Sequence, residues 1–290
     1  MATPVSVDEL GPGDHACLTF SDQEERLDIV TAFVQVGLGQ GQRLVCFTEA
    51  LPPDRLAAEF VERGVPVDEY RQSGQLCVRS SDDSWLAGGC FTADKMLELL
   101  GREVELARRD GYAGLRVTAD MGWATRPVTG VEQLVVFESA VNQLFADQRV
   151  TTICQYDRHQ FDPVTLATAA DVHPCAVAAT VYHEDPVLRV CRQHSPAGVR
   201  VAGEIDYTRA DVLRHAFAEA VRIDGNVHAN LADLRFVDVA SAGVIIQAAL
   251  GLGGGRRMTV ICQPLVHKVM KLVGMDGVPQ MTVLVVDSDA

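Results

Sequence analysis

Between Ala16 and Tyr182 the chain repeats one pattern: a short, nearly unbroken apolar run, then a longer stretch with helical periodicity. The runs are Ala16–Phe20, Arg43–Thr48, Gln75–Ser80, Leu115–Asp120, Val150–Tyr156 and Ala176–Tyr182. A strand with one wet face alternates apolar and polar residues, whereas a strand covered on both faces reads as a continuous apolar run. The pattern therefore predicts an α/β domain, a doubly wound and mostly parallel sheet with helices on both faces.

The intervening segments carry helix signals. Leu27, Val30, Val34 and Leu38 share one face, and Ser21 with Glu24 reads as a capping box at its start. Met96, Leu99, Leu100, Val104 and Ala107 mark a second helix that Gly111 ends. Thr129 with Glu132 opens a third, carrying Leu134, Val141 and Phe145. At Tyr182–Pro186 (YHEDP) the alternation breaks, which predicts two domains, residues 1–183 and 187–290. The second begins with a hairpin-like pair around Ser195–Gly198. A helix follows over Arg209–Val221, then a strand over Val227–Leu231, a helix from about Ser241, and a final strand–helix–strand series.

Charge narrows the partners. With a net charge of −14 and only the pairs Arg108–Arg109 and Arg256–Arg257 as local basic density, the chain is expected not to bind nucleic acid directly. No apolar run approaches the ~20 residues of a membrane-spanning helix, and the first residues carry no signal-peptide pattern. The eight cysteines are scattered without a C-x-x-C, so they read as buried free thiols in a reduced, cytoplasmic protein, with no metal site and no cofactor.

A phosphate-binding loop needs glycines, a Lys and a Ser or Thr after a strand. After the first long strand this chain has SDQEER, so Asp22, Glu24 and Glu25 occupy the turn where a phosphate would sit. What remains is a crevice at the carboxyl ends of the strands, where open α/β sheets bind ligands. The candidates there are Asp14, His15, Asp120, Trp123, Tyr156, Asp157 and Arg158. His15, Asp120 and Trp123 read either as a polar-aromatic pocket for a small organic ligand or as ordinary packing. A Cys17–His15 nucleophile pair has no orienting group in sight, and His173, before a proline, reads as a helix end.

Four blocks, GPGDHACLTFSDQEER, VQVGLGQGQRLVCFTE, LRVTADMGWA and TICQYDRHQFDPVTL with a trailing DVHP, resemble a MEDS domain in order and spacing. That resemblance implies a RecA-like sheet without a working phosphate loop and a role in sensing small organic molecules. Three further blocks resemble a STAS domain, the fold of anti-sigma-factor antagonists: VRVAGEIDYTRADVLRHAFAEA, HANLADLRFVDVASAGVIIQAA and RRMTVICQPLVHKVMKLVGM. This second resemblance implies a loop and helix that dock on an anti-sigma factor or a GHKL-type serine kinase. The family's loop reads D-S-S-G-L or D-S-T-G-L, with a phosphorylated hydroxyl before the Gly. Here Asp238 matches the Asp, Ala240 falls on the acceptor and Ser241 on the Gly, with Gly243 just beyond. Ser241 has two readings, a helix N-cap or a substitute phosphosite. Asp238 also has two, holding the loop through backbone N–H groups or orienting a partner's phosphotransfer.

The expectation is a signalling regulator with no catalytic residue, acting through protein contacts and compatible with a homodimer. The rival expectations are a degenerate RecA-like nucleotide-binding protein or ATPase, and a scaffold in a larger signalling complex.

Overall fold

Five of the six apolar runs form strands of one sheet. The structure is a computed structural model that describes residues 2–145 and 150–286. It divides into two compact units, Met1–Ala178 and Ala179–Ala290. In the first, the elements follow in the order β1 (Thr3–Val5), β2 (His15–Phe20), α1 (Gln23–Gly39), β3 (Arg43–Thr48), α2 (Pro53–Glu62), α3 (Val67–Gln72) and β4 (Leu76–Ser80). Then come α4 (Ala93–Arg109), β5 (Leu115–Asp120), α5 (Leu134–Phe145), β6 (Val150–Asp157), α6 (Pro163–Val172) and β7 (Cys175–Val177). The seven strands pair in parallel, in the order β1-β7-β2-β6-β5-β3-β4. The α/β class and the parallel sheet are as the apolar runs predict. Every residue of β3 and β5 is buried, as a strand covered on both faces requires.

The alternation of side chains assigns the two faces of β2 and β6. Leu18 and Phe20 face α1, where the Arg26 guanidinium lies over the Phe20 ring and bonds Gln155 of β6. His15 and Cys17 point the other way with Cys154 and Tyr156, into a core shared with Phe137 and Val141 of α5 and Ala169 of α6.

Three local expectations need correction. Helix α1 is capped by Asp22, not Ser21: Asp22 Oδ1 accepts from the Glu25 N–H at 3.0 Å. Thr129 caps nothing; Gly130, at φ 90°, opens a short 3-10 turn ahead of α5. The run Ala176–Tyr182 is not one strand, because its first residues form β7 in the first sheet and its last begin a strand of the second. The chain therefore changes units between Ala178 and Ala179, a few residues before YHEDP.

The second unit contains β8 (Val181–Glu184), β9 (Leu188–His194), β10 (Ala197–Ile205), α7 (Ala210–Ile223), β11 (Val227–Leu231), β12 (Leu234–Val237), α8 (Val239–Leu250), β13 (Met258–Cys262), α9 (Pro264–Leu272) and β14 (Met281–Val285). Its sheet is mixed, in the order β14-β13-β11-β10-β9-β8, with β12 joined to β10 past a bulge at Gly203. Gly203 sits at φ 99° with the Val187 carbonyl against it, a position only glycine fits. One sheet face, carrying Val199, Val201, Val227, Ala229, Leu231 and Val260, packs on Leu213, Phe217, Ile245, Val266 and Met270 of the three helices. No described helix is long and apolar enough to cross a membrane.

Candidate functional site

At the carboxyl end of the first sheet, Asp120 closes β5 and is almost fully buried. Its Oδ2 accepts from Arg26 Nη2 at 2.8 Å and from the Ala50 N–H at 3.0 Å, and its Oδ1 accepts from the Gly122 N–H at 3.0 Å. Arg26 is held in turn by Gln155 (2.6 Å) and Gln23 (3.1 Å). At this end of the sheet the two charges thus form a closed, hydrogen-bonded ion pair. Glu24 and Glu25 stand in the first turn of α1, which Asp22 caps. Asp157 accepts from the His159 N–H (2.8 Å) and from Gln160, and Arg158 donates to Thr19 Oγ1 (2.9 Å). Trp123 does not line the crevice. It is wholly buried, with its ring centroid 4.6 Å from Phe91 and 6.2 Å from Trp85.

Asp14 and His15 lie at the opposite end of the sheet, where β2 begins. A six-residue strand spans roughly 16 Å, so they do not share a pocket with Asp120 and Asp157. Asp14 Oδ2 accepts from the Gly11 N–H at 2.8 Å. His15 enters instead a buried group that sequence reading did not assemble: Glu138 of α5, Cys154 and Tyr156 of β6, and His173 at the end of α6.

This group has a definite order. The His173 Nδ1–H donates to the Ala169 carbonyl at 2.7 Å. Asn142 Nδ2 donates to the carbonyls of Val172 (2.8 Å) and Glu138 (3.3 Å), so its Oδ1 is the acceptor of the His15 Nδ1–H at 2.9 Å. Both Nε2 atoms then face one oxygen, Glu138 Oε2, at 3.2 Å from His15 and 3.4 Å from His173. The other oxygen, Oε1, accepts from the Tyr156 O–H at 2.7 Å. Cys154 Sγ lies 3.4 Å from His15 Nε2 and 3.8 Å from Glu138 Oε2. Burial opposes ionisation of Glu138, but His173, His15 and the Tyr156 hydroxyl outweigh it and hold the carboxyl well below its usual range. Burial also pushes His173 down and the Cys154 thiol up. A carboxylate facing two imidazole lone pairs is stable only with a cation between them, either a proton or a metal ion.

A small cleft of about 110 Å³ opens between α5 and α6, lined by Leu134, Val135, Val164, Thr168 and Val172, with Glu138 and Tyr156 at its base.

In the second unit the loop that the sequence resemblance singles out falls at the start of α8. Asp238 is the N-cap: its Oδ1 accepts from the Ser241 N–H and its Oδ2 from the Tyr207 N–H, both at 2.8 Å. This is the loop-holding reading of Asp238. Ser241 is not the cap. It lies inside the first turn, completely buried, and its Oγ makes no hydrogen bond of normal geometry among the described residues. Ala240 and Gly243 face a groove of about 470 Å³ between α7 and α8, with Phe217, Val244 and Gln247. Beside the loop, Tyr207, Phe236 and Val239 are exposed.

His15, Cys154 and His173 were each visible in the sequence as single residues. What joins them is the register of β2 on β6, which sets Cys17 opposite Cys154 and His15 opposite Thr152, together with the docking of α5 and α6 over that face.

The first unit is therefore an α/β domain with a parallel sheet, an acidic turn after its first long strand, and a buried His-Glu-Cys-His group. Residues 14–174, more than half of the chain, match the family model "MEDS: MEthanogen/methylotroph, DcmR Sensory domain", and the protein belongs to that family. No curated protein matches the chain. Among solved structures, it is similar to a KaiC-like protein from Pyrococcus horikoshii OT3, at 15% identity and a TM-score of 0.47, over 63% of this chain and 80% of that one. At that distance the likeness says nothing about what this chain binds.

Proposed function

We propose that the protein is a signalling regulator. Its first unit senses a small organic molecule or a partner, and its second, STAS-like unit binds an anti-sigma factor or GHKL-type serine kinase and so influences transcription. Membership of a sensory family supports the first half. The cleft between α5 and α6 is of a size for a ligand of a few heavy atoms, with apolar walls and two polar groups at its base.

The observation that carries the second half is the exposed set Tyr207, Phe236 and Val239 around the capped Asp238 loop, 71%, 47% and 62% accessible. Apolar side chains grouped on a polar, acidic protein are the anchors of a protein interface. In this reading docking does not depend on a phosphate at Ser241, because that side chain is enclosed. It also involves no nucleotide hydrolysis, in keeping with a helix α1 whose N-terminus is filled by Asp22.

The test is affinity capture with the full-length protein against purified anti-sigma factors and GHKL-type kinases encoded in the same genome. Val239→Asp is expected to weaken the captured complex by ten-fold or more, the scale of a lost interface anchor. Failure of every candidate to bind, or equal binding by Val239→Asp, refutes this role for the second unit.

A further inference from the structure

We infer that His15, Glu138, Cys154 and His173 form a binding site for one divalent transition-metal ion, Zn²⁺ by the chemistry of the donors. It goes beyond the signalling role and does not depend on it.

Four observations converge. The donor atoms of these four residues all lie within 4.8 Å of one another, and all four side chains are buried. A tetrahedral ion with bonds of about 2.0–2.3 Å sets its donors roughly 3.3–3.8 Å apart. Four of the six donor pairs here lie 3.2, 3.4, 3.4 and 3.8 Å apart, and the two others within 4.8 Å. Both imidazoles have their Nδ1–H tied to a carbonyl oxygen, which leaves Nε2 as the free donor. This is the outer-sphere arrangement that orients histidine ligands. Tyr156 occupies the second oxygen of Glu138 and leaves Oε2 aimed inward. The His173 Nε2, fully buried, has no hydrogen-bond donor or acceptor of normal geometry among the described residues.

One sulfur, two nitrogens and one carboxylate oxygen suit Zn²⁺ better than Mg²⁺ or Ca²⁺, which prefer all-oxygen shells. Four protein ligands fill a tetrahedral shell, so the site is structural in kind: it ties β2, β6, α5 and the end of α6 together. On binding, the Cys154 S–H bond breaks, its proton passes to buffer, and a metal–sulfur bond forms; the metal keeps its charge and nothing is oxidised or reduced. The cleft between α5 and α6 ends at Glu138 and supplies a path of entry.

Full-length protein, dialysed against a chelator, would be titrated with Zn²⁺ and, as a spectroscopic probe, Co²⁺. One equivalent per chain is expected, with visible bands of tetrahedral Co²⁺ and a near-ultraviolet thiolate-to-cobalt band. Cys154→Ser should abolish the thiolate band, His173→Gln should weaken binding by ten-fold or more, and Cys90→Ser should change neither. No uptake, or a spectrum unaltered in Cys154→Ser, overturns the site. If Cys154→Ser does not fold, X-ray absorption of the zinc-loaded native protein decides. One sulfur at about 2.3 Å and three lighter atoms at about 2.0–2.1 Å are expected, and a shell without sulfur overturns it.

Discussion

Arg26 and Asp120 meet at 2.8 Å beneath the carboxyl end of the first sheet, with side chains 2% and 6% accessible. A buried pair of this kind adds little net stability over an apolar pair, but removing one partner strands the other charge, at a cost of about 3–5 kcal/mol. Asp120→Ala is expected to lose that much, and Arg26→Met with Asp120→Ala to recover part of it. The two tryptophans of the chain, Trp85 and Trp123, both lie in the core of this unit. Urea unfolding followed by tryptophan fluorescence therefore reads the first unit alone. Two single variants whose losses simply add in the double would contradict a direct pairing.

Asp238 caps α8 and also holds the Tyr207 N–H, so one carboxylate fixes both sides of the proposed partner loop. Losing an N-cap costs about 1 kcal/mol, and the second bond adds to it. Asp238→Ala should therefore lower the urea midpoint of the second unit, while Asp238→Asn keeps the cap but sets an NH2 against the Tyr207 N–H, and so falls between native and Asp238→Ala. Ser241→Ala should leave stability within about 0.5 kcal/mol of native, because a buried hydroxyl without a good partner loses little on removal. A large loss in Ser241→Ala would show that its hydroxyl bonds in solution.

The parts legible in the sequence were those that one segment decides by itself. β3 and β5 are buried on both faces and announce this in their composition. β1 and β7 are three residues each, too short to carry a period. The apolar run from Ala176 to Tyr182 hides a change of sheet, since apolarity does not say which sheet a residue joins. At α1 two capping side chains, Ser21 and Asp22, stand together, and sequence alone does not say which of them caps.

The site was illegible for a different reason. Glu138 is a lone acidic residue in a mostly apolar helix, and His15 lies 127 residues from Asn142 and 139 from Cys154. Only strand register and helix docking bring them within bonding distance. Asp120 and His15 look alike in sequence, as polar residues at strand ends. They stand at opposite ends of the sheet because β5 finishes with one and β2 starts with the other.

His228 provides a pH signature for the second unit. It lies on β11 between the core residues Val227 and Ala229, half-buried, with an Nδ1 that has no hydrogen-bond partner among the described residues. Burial holds its pKa below the ordinary value. In the unfolded chain the ring takes up a proton near pH 6.5, while in the folded unit it does so only at lower pH. Between these two points the unfolded state binds more protons, so stability falls as pH falls. The contribution is fully present above about pH 6.5 and is lost progressively below it. His228→Gln should flatten this part of the profile, and should do so in the urea transition seen by far-ultraviolet circular dichroism but not by tryptophan fluorescence. A native-like slope below pH 6.5 in His228→Gln would assign the acid sensitivity of this unit to another group.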